Sequence, residues 1–247
     1  WHIRPKDRSK LRFMWEGVKC QCTAMPFGLA PAPRLATKLF QPVLRALRAM
    51  GLRLVSYIDD ILLMSRSVQG CLRQGQLLVD FLTMLGFEVH PDKCCLIPSH
   101  TRIFLGTQVN FSLMQFRIPK EKIRSVRREI NQLISLNDSK TLTVRHLASM
   151  MGKLNALRGA VVSAQLHLWP LHHLLRELLV DSSWEGLASL DDSSIEELQW
   201  WRQEMHLWSG QTIIPHRAQM VLTTDASHYG WGAWWRQFGH TGRRADE

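Results

Sequence analysis

Two neighbouring carboxylates, Asp59 and Asp60, interrupt the apolar stretch LVSYIDDILLMS at residues 54–65. A buried carboxylate is unfavourable unless a cation or several hydrogen-bond donors compensate it. Paired carboxylates at a hairpin tip can hold divalent metal through oxygen ligands, and two such metals suit an in-line attack on phosphorus. A solvated Asp-Asp turn between edge strands is the alternative. The apolar flanks favour the metal site, because strands that need a core would hold the tip rigidly.

The elements around this tip are predicted from apolar spacing and from glycine and proline. Residues 11–25 alternate around Gly17 and predict a hairpin, and PFGLAPAP predicts a rigid loop. Helices are predicted over 32–50 and around 77–85, with a strand pair buried on both faces at 52–64. FEVHPDKCCLI and RIFLGTQVNF predict further short strands. The predicted fold is α+β, an antiparallel sheet with helices on one face.

After Pro119 the pattern becomes helical. A basic amphipathic helix is predicted around 123–134, and a second helix is capped by Thr143. Residues 165–180 are predicted to be helical with an interruption at Pro170. A capping-box pattern at Ser194 and Glu197 predicts the start of another helix. From Met220 onwards the pattern predicts strands.

Four segments carry a family resemblance when they are taken in order. YIDD at 57–60 resembles the YxDD motif of reverse transcriptases, and MPFGLAPAP at 25–33 resembles the MPFGLxxAP stretch of retrotransposon polymerases. GFEVHPDKC at 86–94 and FLG at 104–106 are similar to the two motifs that follow in that family. Several ordered motifs are more specific than any one of them. The likeness is to polymerases of long-terminal-repeat and DIRS-like retroelements, and TDAS…GWGA at 224–233 resembles the opening of a ribonuclease H domain.

This resemblance implies a domain order. It implies a partial polymerase palm over residues 1–116, a helical thumb over 117–185 and a helical connection over 186–218. The first strands of a ribonuclease H-like domain follow over 219–247. The implied activity is RNA-directed DNA synthesis, in which a primer 3′-hydroxyl attacks the α-phosphate of a deoxynucleoside triphosphate with Mg²⁺ or Mn²⁺ bound. Template and primer strands of RNA or DNA are the implied partners.

The resemblance also assigns roles to single residues. Asp59 and Asp60 would be catalytic metal ligands, and Lys93 would assist the leaving pyrophosphate, although a surface turn explains Lys93 equally well. The implied nucleotide and primer contacts are Tyr57, Pro26, Phe27, Gly28, Phe104, Leu105 and Gly106. A plain core strand is the alternative for Phe104 and Leu105. Asp225 would be the first ribonuclease H carboxylate, or else a strand-end Asp.

Charge points to a polyanionic partner. Lys and Arg number 31 against 21 Asp and Glu, which gives a formal net charge of +10. Phosphate neutralisation by such cations releases counterions and so favours binding. With the resemblance, backbone contacts are expected from the predicted thumb cations Lys120, Lys122, Arg124, Arg127 and Arg128, with Arg145 and Lys153 on the next helix. A solvated helix face is the alternative for these cations, and core packing is preferred over base stacking for Trp200, Trp201 and Trp208.

The five cysteines predict a reducing compartment. Cys20, Cys22, Cys71, Cys94 and Cys95 are odd in number and include an adjacent pair, which does not resemble a disulfide framework. A zinc site built with His90 and His100 fits no standard spacing. No signal peptide or transmembrane segment is predicted. An intracellular protein, cytoplasmic or nuclear, not secreted and without a membrane partner, is therefore expected.

The family pattern needs a third polymerase carboxylate, on a strand that precedes the MPFG loop. WHI at 1–3 resembles the tail of that motif, so the missing Asp and the fingers are expected to lie before Trp1. Asp225 is likewise only one of about four ribonuclease H carboxylates. We therefore expect a fragment that binds duplexes in a salt-dependent way without extending a primer. A non-catalytic nucleic-acid-binding remnant, or a co-opted or decayed copy, is the alternative.

Overall fold

The computed structural model describes residues 2–181, 183–214, 220–227, 229–235 and 238–243. The chain divides into two compact units, Trp1–Leu105 and Gly106–Glu247. Helices and strands alternate in the first unit, whereas four long helices dominate the second. The mixed α and β content confirms the predicted fold class.

Residues 2–105 of the first unit contain three α-helices and five strands. Its helices are α1 (Pro5–Arg8), α2 (Ala32–Ala49) and α3 (Val68–Met84). Its strands are β1 (Arg12–Trp15), β2 (Val18–Gln21), β3 (Arg53–Tyr57), β4 (Asp60–Met64) and β5 (Thr101–Phe104). β1 pairs with β2, and β3 pairs with β4, each as an antiparallel hairpin.

The core of the first unit lies between α2, α3 and one face of the β3–β4 hairpin. Its buried members are Leu44, Leu47, Leu52, Leu54, Leu78 and Leu82. The hairpin is not buried on both faces as predicted, since Leu54 is 6% exposed while the next residue, Val55, is 46% exposed. Burial alternates because successive side chains point to opposite faces and the helices cover only one of them.

The predicted strand over FEVHPDKCCLI is wrong. Residues 87–97 contain only a 3₁₀ turn, Pro91–Lys93. Pro91 fixes its own φ and has no N–H to donate to a ladder, so the segment turns where a strand would need to continue. Val89 still packs, partly buried, on the core of this unit.

The second unit is built around a helical core. It begins with β6 (Thr107–Asn110) and β7 (Gln115–Arg117), and continues with α4 (Lys120–Asp138), α5 (Val144–Asn155), α6 (Ala164–Asp181) and α7 (Asp192–Glu204). β8 (Gln211–Thr212) returns to pair with β7. β9 (Thr223–Ala226), β10 (Gly230–Trp235) and β11 (Phe238–Arg243) form a separate antiparallel sheet with β10 in the centre.

The starts of α5 and α7 and the interior of α6 can be compared with what the sequence predicts. Thr143 caps α5 as predicted, in a reciprocal arrangement with His146. α7 begins earlier than predicted, because Asp191 rather than Ser194 is the cap, and the Asp191 carboxylate accepts a 2.8 Å hydrogen bond from the Ser194 amide. α6 runs through Pro170 without the predicted interruption.

Tryptophan packs the interior of this helical core. Trp201 is fully buried and donates its indole N–H to the His167 carbonyl at 3.3 Å. Trp200 stacks on the His167 ring with centroids 3.4 Å apart. Trp208 remains 45% exposed. The predicted packing role therefore holds for Trp201 and Trp200 and only in part for Trp208.

Across the described ranges, no helix has the length and apolar character needed to span a bilayer.

Candidate functional site

The two carboxylates lie at the tip of the β3–β4 hairpin. Ile58 and Asp59 form the two-residue turn, and Asp60 is the first residue of β4. Asp60 lies directly opposite Tyr57 in the ladder. The backbone at Ile58 has a φ of 54°, in the left-handed region that a β-branched side chain rarely adopts.

The register places Asp60 on the open face of the hairpin. Residues opposite each other in an antiparallel pair share a face, so Asp60 lies with Tyr57 and with the Val55–Leu62 pair. The other face carries Leu54 and Leu63, which belong to the core formed with α2 and α3. Asp60 and Tyr57 are therefore presented away from the helices.

Neither the Asp59 nor the Asp60 side chain forms a hydrogen bond or ion pair with any described residue. Asp7 provides a contrast, because a hydrogen bond from Lys10, together with Arg4, lowers the pKa of its carboxyl. The carboxylates at the tip are thus adjacent, exposed and unneutralised within the described chain. Such a pair can accept a divalent cation.

The ligand set offered by this chain is small. Among the described residues, no three His, Cys, Asp or Glu side chains come together as metal ligands. Protein sites for Mg²⁺ commonly use one or two carboxylates and complete the shell with water and substrate phosphate oxygens. The acidic tip fits a site of that kind.

The MPFGLAPAP loop presents an aromatic side chain to solvent. Phe27 is fully exposed, at the turn that precedes α2. Gly28 has a φ of 82°, and a Cβ there would meet nothing within 4 Å. Glycine is therefore required at this position by the backbone conformation rather than by close packing. Pro26 precedes the turn and is partly buried.

The remaining sites predicted in the first unit lie elsewhere along the chain. Lys93 is exposed at the end of the 3₁₀ turn. Phe104 ends β5, and Leu105 forms a turn with Gly106 in which both residues have positive φ, 50° and 73°. Leu105 is 49% exposed, so the core-strand alternative fails for it. Within the described chain, no hydrogen bond or ion pair joins Phe27, Gly28 or Lys93 to the acidic tip.

The basic residues of α4 divide into two groups. Lys120, Arg124 and Arg128 recur every four residues and are exposed, which places them on one face. Arg127 is partly buried, donates to the Arg202 carbonyl at 2.8 Å, and lies 3.0 Å from the His206 ring nitrogen. Lys122 reaches the Gly106 carbonyl at 3.4 Å. Arg127 and Lys122 therefore have partners within their own unit.

The two cations that were predicted to contact phosphates from the next helix both lie on α5, and both have protein partners. Arg145 pairs with Glu185 at 2.6 Å, and Lys153 pairs with Glu129. Glu129 has a lowered pKa because hydrogen bonds from Lys153 and Ser125 outweigh its desolvation. These two cations contribute less free charge to a phosphate surface than the exposed face of α4.

Asp225 lies on β9, opposite Gly232 of β10. Its side chain is exposed and accepts a 2.9 Å hydrogen bond from the Ala226 amide. Asp246 and Glu247 lie outside the described residues. The strands predicted beyond Met220 are present, and Asp225 is the single carboxylate they carry among residues 223–226, 230–235 and 238–243.

Sequence reasoning missed the backbone of Ile58 and of Leu105. Both are large aliphatic residues in the left-handed region, and both stand at turns that contain predicted site residues. Residue type gives no signal here, since branched and bulky side chains disfavour this conformation. Sterically unfavourable backbone of this kind concentrates at functional sites.

Comparison with known proteins matches residues 3–109 to the family model described as reverse transcriptase (RNA-dependent DNA polymerase). The genome polyprotein of Petunia vein clearing virus (isolate Shepherd) is 25% identical over 94% of this chain and 10% of its own length. The retrovirus-related Pol polyprotein from transposon opus of Drosophila melanogaster is 22% identical over 94% of the chain and 22% of its length. The chain thus spans between a tenth and a quarter of these relatives.

Solved structures show the same fold. A foamy viral protease-reverse transcriptase in complex with double-stranded DNA superposes with a TM-score of 0.66, at 17% identity, over 95% of this chain and 38% of that one. The foamy viral enzyme in complex with an RNA/DNA hybrid superposes with a TM-score of 0.63, at 18% identity, over 99% of this chain and 32% of that one.

Proposed function

We propose that this chain, whose residues 3–109 match the reverse transcriptase family model, contributes the palm and thumb of an RNA-directed DNA polymerase encoded by a retroelement. The observation that carries the proposal is the acidic tip. It holds two exposed, unpartnered carboxylates, Asp59 in the turn and Asp60 on the open face of a hairpin whose other face is fixed by a buried core. Its position within the family match supports a catalytic role for those carboxylates.

Asp59 and Asp60 would hold Mg²⁺ or Mn²⁺, with substrate phosphate and water completing the shell. A metal held there would supply charge neutralisation for the in-line attack of a primer 3′-hydroxyl on the α-phosphate of a deoxynucleoside triphosphate. The protein's own contribution is to hold the two carboxylates in a fixed position. The core beneath β3 and β4 fixes the tip, and the turn at Ile58 sets the direction of the two carboxylates.

The other residues act by binding and orienting. Tyr57 shares the open face with Asp60, where its ring can lie against the primer end. Phe27 and Gly28 offer an exposed ring and a bare backbone to the incoming nucleotide and the template. Lys93 is exposed and charged, so it can neutralise the leaving pyrophosphate. Phe104, Leu105 and Gly106 would position the primer strand.

The thumb would hold the duplex through phosphate contacts. Lys120, Arg124 and Arg128 form the exposed face of α4 suited to this, while Arg127 serves the packing of α4 on α7. Backbone contacts of this kind position a duplex without reading its sequence. The foamy viral relatives were solved with double-stranded DNA and with an RNA/DNA hybrid, which supports such a partner for this fold.

The strands after Met220 would be the opening of a ribonuclease H-like domain, with Asp225 as a metal ligand. One carboxylate is insufficient for that chemistry. The remaining ligands would come from outside the described strands.

A second candidate is a nucleic-acid-binding segment that does not synthesise DNA. It is favoured by the small ligand set, since the described residues bring together no three metal-ligand side chains. In this case the chain binds duplexes through α4 and the acidic tip takes no part in chemistry. This behaviour is the one predicted from the sequence for the chain when it is assayed alone.

Primer extension on an RNA template with Mg²⁺ separates DNA synthesis by this chain alone from binding without synthesis. We would compare the wild-type chain with Asp59→Asn, Asp60→Asn and the control Asp92→Asn, which removes an exposed carboxylate from the 3₁₀ turn. Extension that is lost in the first two variants and kept in the control supports synthesis by this chain. Salt-dependent duplex binding without extension in any of them supports the second candidate, and failure to bind a duplex would refute both.

A further inference from the structure

The solvent-facing side of α2 carries positive charges that have no role in the site at Asp59 and Asp60. No Asp or Glu occurs between Glu16 and Asp59, whereas the same segment contains the cations Lys19, Arg34, Lys38, Arg45, Arg48 and Arg53. Four of these six cations lie on α2. A surface helix usually mixes the two signs, as α4 does with Glu121, Glu129 and Asp138.

Three of the cations on α2 form one continuous row. Arg34, Lys38 and Arg45 are separated by four and seven residues, so they fall on the same side of the helix. We call these three residues the basic stripe. The buried residues Leu44 and Leu47 lie on the side of α2 that faces the hairpin. The basic stripe therefore faces solvent.

The basic stripe has no protein partner among the described residues. None of its three side chains forms a hydrogen bond or ion pair there, whereas the neighbouring Arg48 donates to the Leu54 carbonyl at 3.3 Å. Arg34 lies in the first turn of the helix, where the macrodipole disfavours a cation. Lys38 stands four residues from Arg34, a spacing at which like charges repel. This arrangement is unfavourable in the isolated helix and becomes favourable when an anion binds.

The stripe has the dimensions of a nucleic-acid contact. Arg34 and Arg45 are separated by about 16 Å at a rise of ~1.5 Å per residue. Each strand of a duplex carries one phosphate charge per ~3.4 Å of the helix axis, so roughly five phosphates of one backbone fall within that length. Three cations in a row can follow one backbone over this distance.

The stripe and the acidic tip lie on opposite sides of the first unit. Asp60 is on the open face of the β3–β4 hairpin, and α2 packs its apolar side on the opposite face. The body of α2 and the hairpin therefore separate the two surfaces. A straight duplex that lies along the open face cannot reach the stripe.

We propose that the basic stripe is a second polyanion-binding surface, which takes the phosphate backbone of a nucleic-acid segment other than the one at the acidic tip. It requires no synthesis and no metal at Asp59 and Asp60. It can therefore hold true whether the chain is a polymerase or only a binding segment.

The test compares two charge-matched triple variants. Arg34→Gln, Lys38→Gln and Arg45→Gln together remove the stripe, while Arg73→Gln, Arg158→Gln and Arg176→Gln remove the same charge from dispersed exposed positions. Affinity for a labelled DNA duplex, and separately for a single-stranded RNA, is measured against salt without divalent metal or nucleotide. Circular dichroism confirms that both variants are folded. The ratio of short duplexes bound per chain is measured at saturation.

The stripe variant should lower the slope of log affinity against log salt by about 2 to 3 on the duplex and by about 2 on the single strand. It should also bind one short duplex fewer per chain than the wild type. A larger loss on either probe identifies the preferred nucleic acid. An unchanged slope and ratio in the stripe variant, or an equal change in the dispersed variant, would overturn the proposal, whatever the extension assay shows.

Discussion

Replacing Ile58 by glycine tests whether the acidic tip stores backbone strain. Ile58 has a φ of 54° and is 43% exposed. The left-handed conformation costs an L-residue roughly 1–2 kcal/mol, and glycine removes that penalty. Glycine also gains freedom in the unfolded chain, which costs ~0.5–1 kcal/mol, and loss of the half-buried side chain costs about 1 kcal/mol. The expected free energy of unfolding for Ile58→Gly is therefore within about 1 kcal/mol of the wild type.

Val55→Gly is the matched control. Val55 is 46% exposed on the same hairpin and has no positive φ. Its replacement incurs the same two losses without relief of strain, so we expect it to destabilise by about 1.5–2 kcal/mol. Urea unfolding followed by circular dichroism measures both variants. The two substitutions should differ by about 1–2 kcal/mol. Equal destabilisation by both would refute the view that the tip holds an unfavourable backbone in place.

The remaining predictions concern the second unit. Asp191→Ala should destabilise α7 by about 1 kcal/mol through loss of its cap, with Asp192→Ala as the control. Hydrogen bonds from Ser194 lower the pKa of the Asp191 carboxyl from 3.8. The stability difference between the wild type and Asp191→Ala should therefore be present above that pH and disappear as acid protonates the folded state. A stability difference that persists in strong acid would contradict this prediction. Arg127→Gln should destabilise the unit by about 1–3 kcal/mol, because the Arg202 carbonyl and His206 lose their donor. Arg124→Gln should leave the free energy of unfolding within about 0.5 kcal/mol of the wild type and lower the salt slope of duplex binding by about 1. If Arg124→Gln destabilises the unit and Arg127→Gln only lowers the salt slope, Arg124 is the packing residue and Arg127 the phosphate contact.

The acidic hairpin could be predicted from the sequence because its signals agree. Apolar residues flank Asp59 and Asp60, and the ordered motifs around them resemble one family, so both the strands and the tip could be predicted. What the sequence did not reveal is the one-sided burial of the hairpin. Val55 and Leu54 are equally apolar, and only the positions of α2 and α3 decide which of them is covered.

Other features depended on contacts between residues distant in sequence. Arg127 is an arginine like Arg124 and Arg128, but it is partly buried because it donates to the carbonyl of Arg202, which lies 75 residues away in sequence. The segment around Pro91 has strand-like composition, but the missing N–H of one proline is enough to turn the chain. Asp191 and Ser194 are both good helix caps, and Ser194 lies fully buried within the helix that it was predicted to begin.

The shared interior of α4, α5, α6 and α7 has a mechanical consequence. Ile130 of α4, Leu154 of α5, Leu168 of α6 and Trp201 of α7 all belong to one apolar cluster, and Arg127 fastens α4 to the far end of α7. Under the proposed function, a nucleic-acid duplex bound along the outer row of α4 would therefore load the four packed helices together and not α4 alone. The internal geometry of these four helices should therefore stay constant when that row is loaded.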